Sequence, residues 1–133
     1  LQLWPQGVLA HILAPALSDG QTALPLGSPF VLDAAFHAAC VWSQRYAGVV
    51  AFPVGIGQRM VHRPTRTGDC YRASIVPIEA DRSHLAFDIC ITDLQGRLFE
   101  EVHDVCMRDV SGGRLNPPNW IVTGHKGPGK RAT

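Results

Sequence analysis

Apolar and polar residues follow two different rhythms along the chain, and the change between them divides it. Residues 7–14, Gly-Val-Leu-Ala-His-Ile-Leu-Ala, form an apolar run closed by Pro15 and read as a strand. Positions 16–28 carry Ser18, Asp19, Gly20, Pro25, Gly27 and Ser28, which is loop chemistry. Ser28 followed by Pro29 predicts a helix start, with a hydroxyl cap and proline in the first turn. That helix runs to about Tyr46 and stops at Gly48, a span on the order of 27 Å at 1.5 Å per residue. Everything after it reads as strand. A short apolar segment covers 49–54, a second strand covers 55–62 before Pro64, and 70–78 alternates after the Thr67-Gly68-Asp69 turn. Residues 84–92 and 97–108 form a hairpin around Asp93-Leu94-Gln95-Gly96, with imperfect alternation in the last strand. From Ser111 onward Gly, Pro and Asn dominate and periodicity vanishes, with Trp120 and Ile121 as possible anchors. There is no internal repeat.

One long helix among antiparallel strands is an α+β layout. A sheet curled around one central helix is the hotdog arrangement, and the helix composition fits it. Between Phe30 and Val41 only Asp33 and His37 are polar, which predicts a helix buried on every side. The expected organisation is a single hotdog domain over 1–110 and an extended or flexible tail over 111–133.

Composition adds limits. A chain of 133 residues, 46% hydrophobic, supports one domain with a modest core. The charged share of 17% is low, as expected where a partner subunit or neighbouring domain covers part of the surface. No run approaches the roughly 20 apolar residues of a membrane span, and no basic-then-apolar leader opens the chain. Because it starts at Leu1, the chain is expected to be a piece of something longer. After Asp109 there are four bases, Arg114, Lys126, Lys130 and Arg131, and no acid; residues 1–109 hold 8 bases against 11 acids. A basic tail on an acidic body suits contact with nucleic acid or an acidic carrier protein, or a solvated tail, and the body lacks the basic stripe of a nucleic-acid binder. Cys40, Cys70, Cys90 and Cys106 are widely spaced, without a CxxC pair or His at zinc spacing. They are expected to be buried thiols in a reducing cytoplasm.

The candidate chemistry lies in the helix. Asp33 and His37 are four apart, so they share a face and can touch. In apolar surroundings the carboxyl is expected to be desolvated and to favour its neutral form, which suits a general acid near neutral pH. The alternatives are an acid complementing the helix dipole and a satisfied core histidine.

The stretch Ser28-Pro29-Phe30-Val31-Leu32-Asp33-Ala34-Ala35-Phe36-His37 resembles the helix motif of polyketide and fatty-acid synthase dehydratases. That motif is His-Pro, two or three apolar residues, Leu-Asp, then Gln or His four positions after the Asp. Phe52-Pro53-Val54 and the hairpin from Asp88 to Glu101 extend the likeness more weakly, over about residues 7–110. Ser28 stands where the family has His before Pro. The likeness implies the second, C-terminal hotdog half of a dehydratase. There a 3-hydroxyacyl chain, held on the phosphopantetheine of an acyl carrier protein, loses water to give a 2-enoyl thioester. It also implies that Asp33 protonates the departing hydroxyl, that His37 orients it, and that the pantetheine arm runs near Phe36, Phe52, Pro53 and Val54. No metal or redox cofactor is implied. The family's base is a His in a His-x3-Gly-x4-Pro motif, which is missing here. Hence the base is expected from an upstream hotdog half, or the chain pairs with itself as a homodimer. A non-catalytic hotdog module and a hotdog acyl thioesterase are the rival readings.

Overall fold

The computed structural model describes residues 1–15, 27–81 and 83–124. The loop signals at 16–26, together with His125, Lys126, Lys130 and Arg131, lie outside the described residues. Among the described residues six antiparallel strands form one open sheet: β1 Gln2–Trp4, β2 Gly7–Leu13, β3 Phe52–Val61, β4 Cys70–Ala80, β5 Leu85–Asp93 and β6 Leu98–Arg108. Their order is β1-β2-β4-β5-β6-β3, so β3 is an edge strand far from its sequence neighbour β4. Two connections therefore cross the sheet. Helix α1, Pro29–Trp42, carries the chain from β2 to β3, and residues 62–69 return from β3 to β4.

The hairpin is as the sequence predicts, with its turn locked by Asp93. This carboxylate accepts backbone N–H bonds from Gln95 (3.0 Å) and Arg97 (2.9 Å) and the Arg97 Nε–H (2.8 Å). The two segments expected over 49–54 and 55–62 are instead one strand, β3, beginning at Phe52. Gly55, where the second segment was expected to begin, sits within the strand, as does Gly57. Gly57 has a steric reason: a Cβ there would lie 2.8 Å from the Cβ of Asp104, the residue at φ 55° around which β6 bulges. Strand β1 was not foreseen, because three residues carry no readable period. It is pinned from the helix, where Trp42 Nε1 donates to the Trp4 carbonyl at 2.8 Å.

Pro29 opens α1 as predicted, but the Ser28 hydroxyl makes no capping hydrogen bond. The Ser28 backbone N–H instead donates to Thr65 of the returning crossover, at 2.8 Å to Oγ1 and 3.2 Å to the carbonyl. After Trp42 the helix widens into a π-turn over Ser43–Ala47 and ends at Gly48, φ 68°. The core lies between α1 and one sheet face. Val31, Leu32, Ala35, Ala38, Ala39 and Trp42 meet a floor including Tyr71, Ile75, Phe87, Ile89 and Ile91. Three alanines bring the helix axis close to the sheet, and each large side chain buried there contributes about 1.5–3 kcal/mol.

Three expectations are corrected. The helix is buried on one face, not on every side: Phe30, Asp33 and His37 are exposed. The cysteines are free but not buried; Cys40 and Cys90 are half-buried, and Cys70 and Cys106 are exposed. Within the expected tail, Asn119–Thr123 forms a short helix, α2, tied back by Arg45 Nη1 donating to the Val122 carbonyl, while Trp120 itself is exposed.

Candidate functional site

The turn of α1 that follows Pro29 places Asp33 and His37 side by side. His37 Nε2 lies 3.3 Å from Asp33 Oδ2, with the side chains 76% and 65% exposed respectively. The expected pairing is present; the expected desolvation is not. Leu32 and Ala35 turn inward on the same stretch, so the helix anchors itself with one face and offers the acid–histidine pair with the other. Phe36 is half-buried at the margin of the core. Phe52, Pro53 and Val54 begin β3; Phe52 and Pro53 pair with Arg108 and Met107 of β6, Val54 sits at a register shift, and Phe52 and Val54 are both exposed. Among the described residues no hydrogen bond, ion pair or ring contact joins Asp33 or Phe36 to this segment.

Beside Phe52 and Val54, Ile56 is also exposed on β3. The outer edge of this ten-residue strand has no strand partner among the described residues. Arg59 on the same strand pairs with Glu100, a carboxylate only 3% exposed. That buried pair escaped the sequence reading, since Glu100 and Glu101 look alike along the chain and only the sheet decides which faces the core. The alternation of Glu100 and Val102 in β6 was the available signal.

The other histidines lie elsewhere. His62 Nε2 is 2.8 Å from Glu101, and His103 reaches Asp88 (3.5 Å) and Glu101 (3.7 Å). His84 sits in a turn organised by Asp81. Among the described residues no cluster of His, Cys, Asp and Glu could hold a metal ion. Burial pushes the Cys40 thiol up, against hydrogen bonds with Gln44 and Ala51, and pushes the Cys90 thiol up with help from Glu101. Neither half-buried sulfur is set up as a thiolate nucleophile. No described helix is long and apolar enough to cross a membrane.

A family model described as polyketide synthase dehydratase N-terminal domain matches residues 1–117. The chain belongs to the polyketide synthase dehydratase family. That description names the N-terminal domain, so the expectation of a C-terminal half gains no support from it. No curated protein matches the chain. Among solved structures, the E. coli PaaI protein from the phenylacetic acid degradation operon superposes with a TM-score of 0.59 at 15% identity, covering 77% of this chain and 72% of that one. The fold is therefore a hotdog: an open antiparallel sheet laid against one helix, and not a closed barrel.

Proposed function

We propose that this dehydratase-family hotdog is the acid-bearing half of a 3-hydroxyacyl–carrier-protein dehydratase. The carrying observation is the Asp33–His37 pair, 3.3 Å apart on the outward face of a helix whose other face is anchored. Asp33 gives its proton to the 3-hydroxyl, which departs as water, while a histidine from another hotdog removes the α-proton. The electron pair of that C–H bond becomes the new C–C double bond. His37 holds the carboxyl in position.

An acid so exposed is an incomplete site. A second hotdog that carries the histidine motif, joined along β3, covers the apolar residues of that edge and brings its histidine toward the helix. Excluding water from the Asp33 carboxyl disfavours its charged form and readies it as a proton donor. The substrate arrives on the phosphopantetheine arm of an acyl carrier protein, passing Phe36 and the Phe52-Pro53-Val54 segment.

The test is water loss from a 3-hydroxyacyl-pantetheine thioester, followed as enoyl absorbance. The chain alone is compared with the chain joined to a hotdog carrying the histidine motif, each with and without Asp33→Asn. Activity in the joined protein alone, removed by Asp33→Asn, is the expected result. One rival draws on the same exposure: a carboxylate open to water suits a thioesterase base, and release of free pantetheine without enoyl formation would favour it. If neither product forms, the non-catalytic module becomes the better reading.

A further inference from the structure

The crossover over residues 62–69 is held more firmly than a loop of its composition requires. His62 and Arg63 N–H donate to the Phe99 carbonyl at 2.9 and 3.0 Å, and Arg66 N–H donates to the Tyr71 hydroxyl at 2.7 Å. Gly68 N–H donates to the Ala14 carbonyl at 2.7 Å, and Ala14 N–H returns to the Asp69 carbonyl at 3.0 Å. With the Ser28–Thr65 bonds, the segment is fixed from β2, α1, β4 and β6. Its two arginines are thus mounted on an immobilised backbone.

Arg63 and Arg66 line one cavity of about 410 Å3 together with Pro64, Asp69, Arg97 and Phe99. Arg97 enters already oriented, since its Nε–H is bound by Asp93 and its remaining N–H groups are left for the cavity. Neither Arg63 nor Arg66 pairs with a carboxylate among the described residues, and Asp69 is the lone acid of the lining. With Arg97 balanced by Asp93 and Asp69 offsetting at most one more charge, a positive surplus remains. Guanidinium groups gathered around one space repel one another, and an anion between them turns that repulsion into attraction. Planar N–H forks match phosphoryl oxygens two at a time, and the apolar surfaces of Phe99 and Pro64 suit a carbon-bearing ligand over a bare ion.

We propose that Arg63, Arg66 and Arg97 form a binding site for the phosphoryl group of an organic phosphate. The site is separate from Asp33, and the inference stands whether or not the chain dehydrates anything. The same phosphoryl chemistry has two sources, a free organic phosphate and the phosphate of a carrier arm.

The experiment is calorimetric titration of the chain with inorganic phosphate, phenyl phosphate, phosphopantetheine and unphosphorylated pantetheine. The phosphate-bearing organic probes should bind, more weakly as salt rises, and Arg63→Gln combined with Arg66→Gln should weaken them at least tenfold. Arg72→Gln, an exposed arginine of β4 outside the cavity, and Asp33→Asn should leave binding unchanged. Thermal melts of each variant establish that it is folded. Phosphopantetheine binding tighter than phenyl phosphate assigns the site to the carrier arm; the reverse order assigns it to a free organic phosphate. Equal binding by the wild-type chain and the folded double variant, an equal loss in Arg72→Gln, or binding of an acidic peptide in place of every phosphate probe would overturn the assignment.

Discussion

At the scale of single residues, position along the helix decides what Asp33 can do. It stands one turn beyond Pro29, on the side opposite Leu32 and Ala35, and its neighbour across the turn is His37. In the joined protein, Asp33→Asn is expected to lower enoyl formation by about 10²–10⁴, the range for losing a positioned acid. His37→Gln should cost less, because glutamine can still hydrogen-bond the carboxyl, and a kcat measurement on both variants checks the order. This pair was legible from spacing alone. Its exposure was not, because Phe30 and Ala34 make the outward face look like a core face, and a sequence does not distinguish a surface facing the core from one awaiting a partner. Glu100 shows the opposite failure, a buried charge hidden by its exposed-looking neighbour. Gly57 carries no such signal in the sequence, yet it makes room for the bulge at Asp104. Gly57→Ala, which sets a Cβ 2.8 Å from that of Asp104, is expected to destabilise the chain by about 1–3 kcal/mol. A urea unfolding midpoint measures it.

At the scale of elements, turns were read best where a short-range chemical reason existed. The Asp93-to-Gly96 turn is one, and two turns that were not anticipated are built by the same logic. Asp81 accepts from the Ser83 hydroxyl and the backbone N–H groups of His84 and Ser83; Asp109 accepts from the hydroxyl and N–H of Ser111 and from the Gly113 N–H. These bonds favour the charged carboxylates and hold both acids below their ordinary value of 3.8. At Asp93 burial pushes the carboxyl up, but the Arg97 and Gln95 hydrogen bonds together with the Arg97 charge outweigh it, and the net direction is again down. A carboxyl lowered on folding takes up its proton first in the unfolded chain. Its contribution is therefore present above the ordinary value near 3.8 and is lost as pH falls through the lower folded value. Urea midpoints should hold from pH 7 to pH 5 with respect to these groups and fall below about pH 4. Asp93→Asn should flatten that acid limb, and an unchanged limb would show that the turn does not matter. Elements whose cause is distant were read worst. Strand β1 exists because β2 and Trp42 hold it, and β3 is continuous because β6 pairs with it along its length.

At the scale of the whole molecule, the open edge of the sheet and the exposed pair on the helix raise the same question. Strand β3, ten residues long, presents those of its backbone groups that point away from β6 on a side with no described partner, and Phe52, Val54 and Ile56 add apolar surface 38–45% exposed. Pro53 is the sort of residue that protects an edge, but it withdraws only one N–H from a long strand. The low charged share of the chain is concentrated elsewhere; Arg59, the charged residue of β3, is held by Glu100. Antiparallel addition of a second hotdog at β3 satisfies the backbone groups, covers the apolar row and continues the sheet. The isolated chain is therefore expected to associate reversibly through β3, seen as a concentration-dependent rise in sedimentation coefficient. Val54→Lys combined with Ile56→Lys should hold it as a monomer, because like charges would face each other across a two-fold pair of strands. The same double substitution in the joined protein should lower dehydration while leaving Asp33 in place, which links assembly to chemistry. A wild-type chain that stays monomeric at every concentration would overturn self-association through β3. Pairing would then be sought with a different hotdog instead of between two copies.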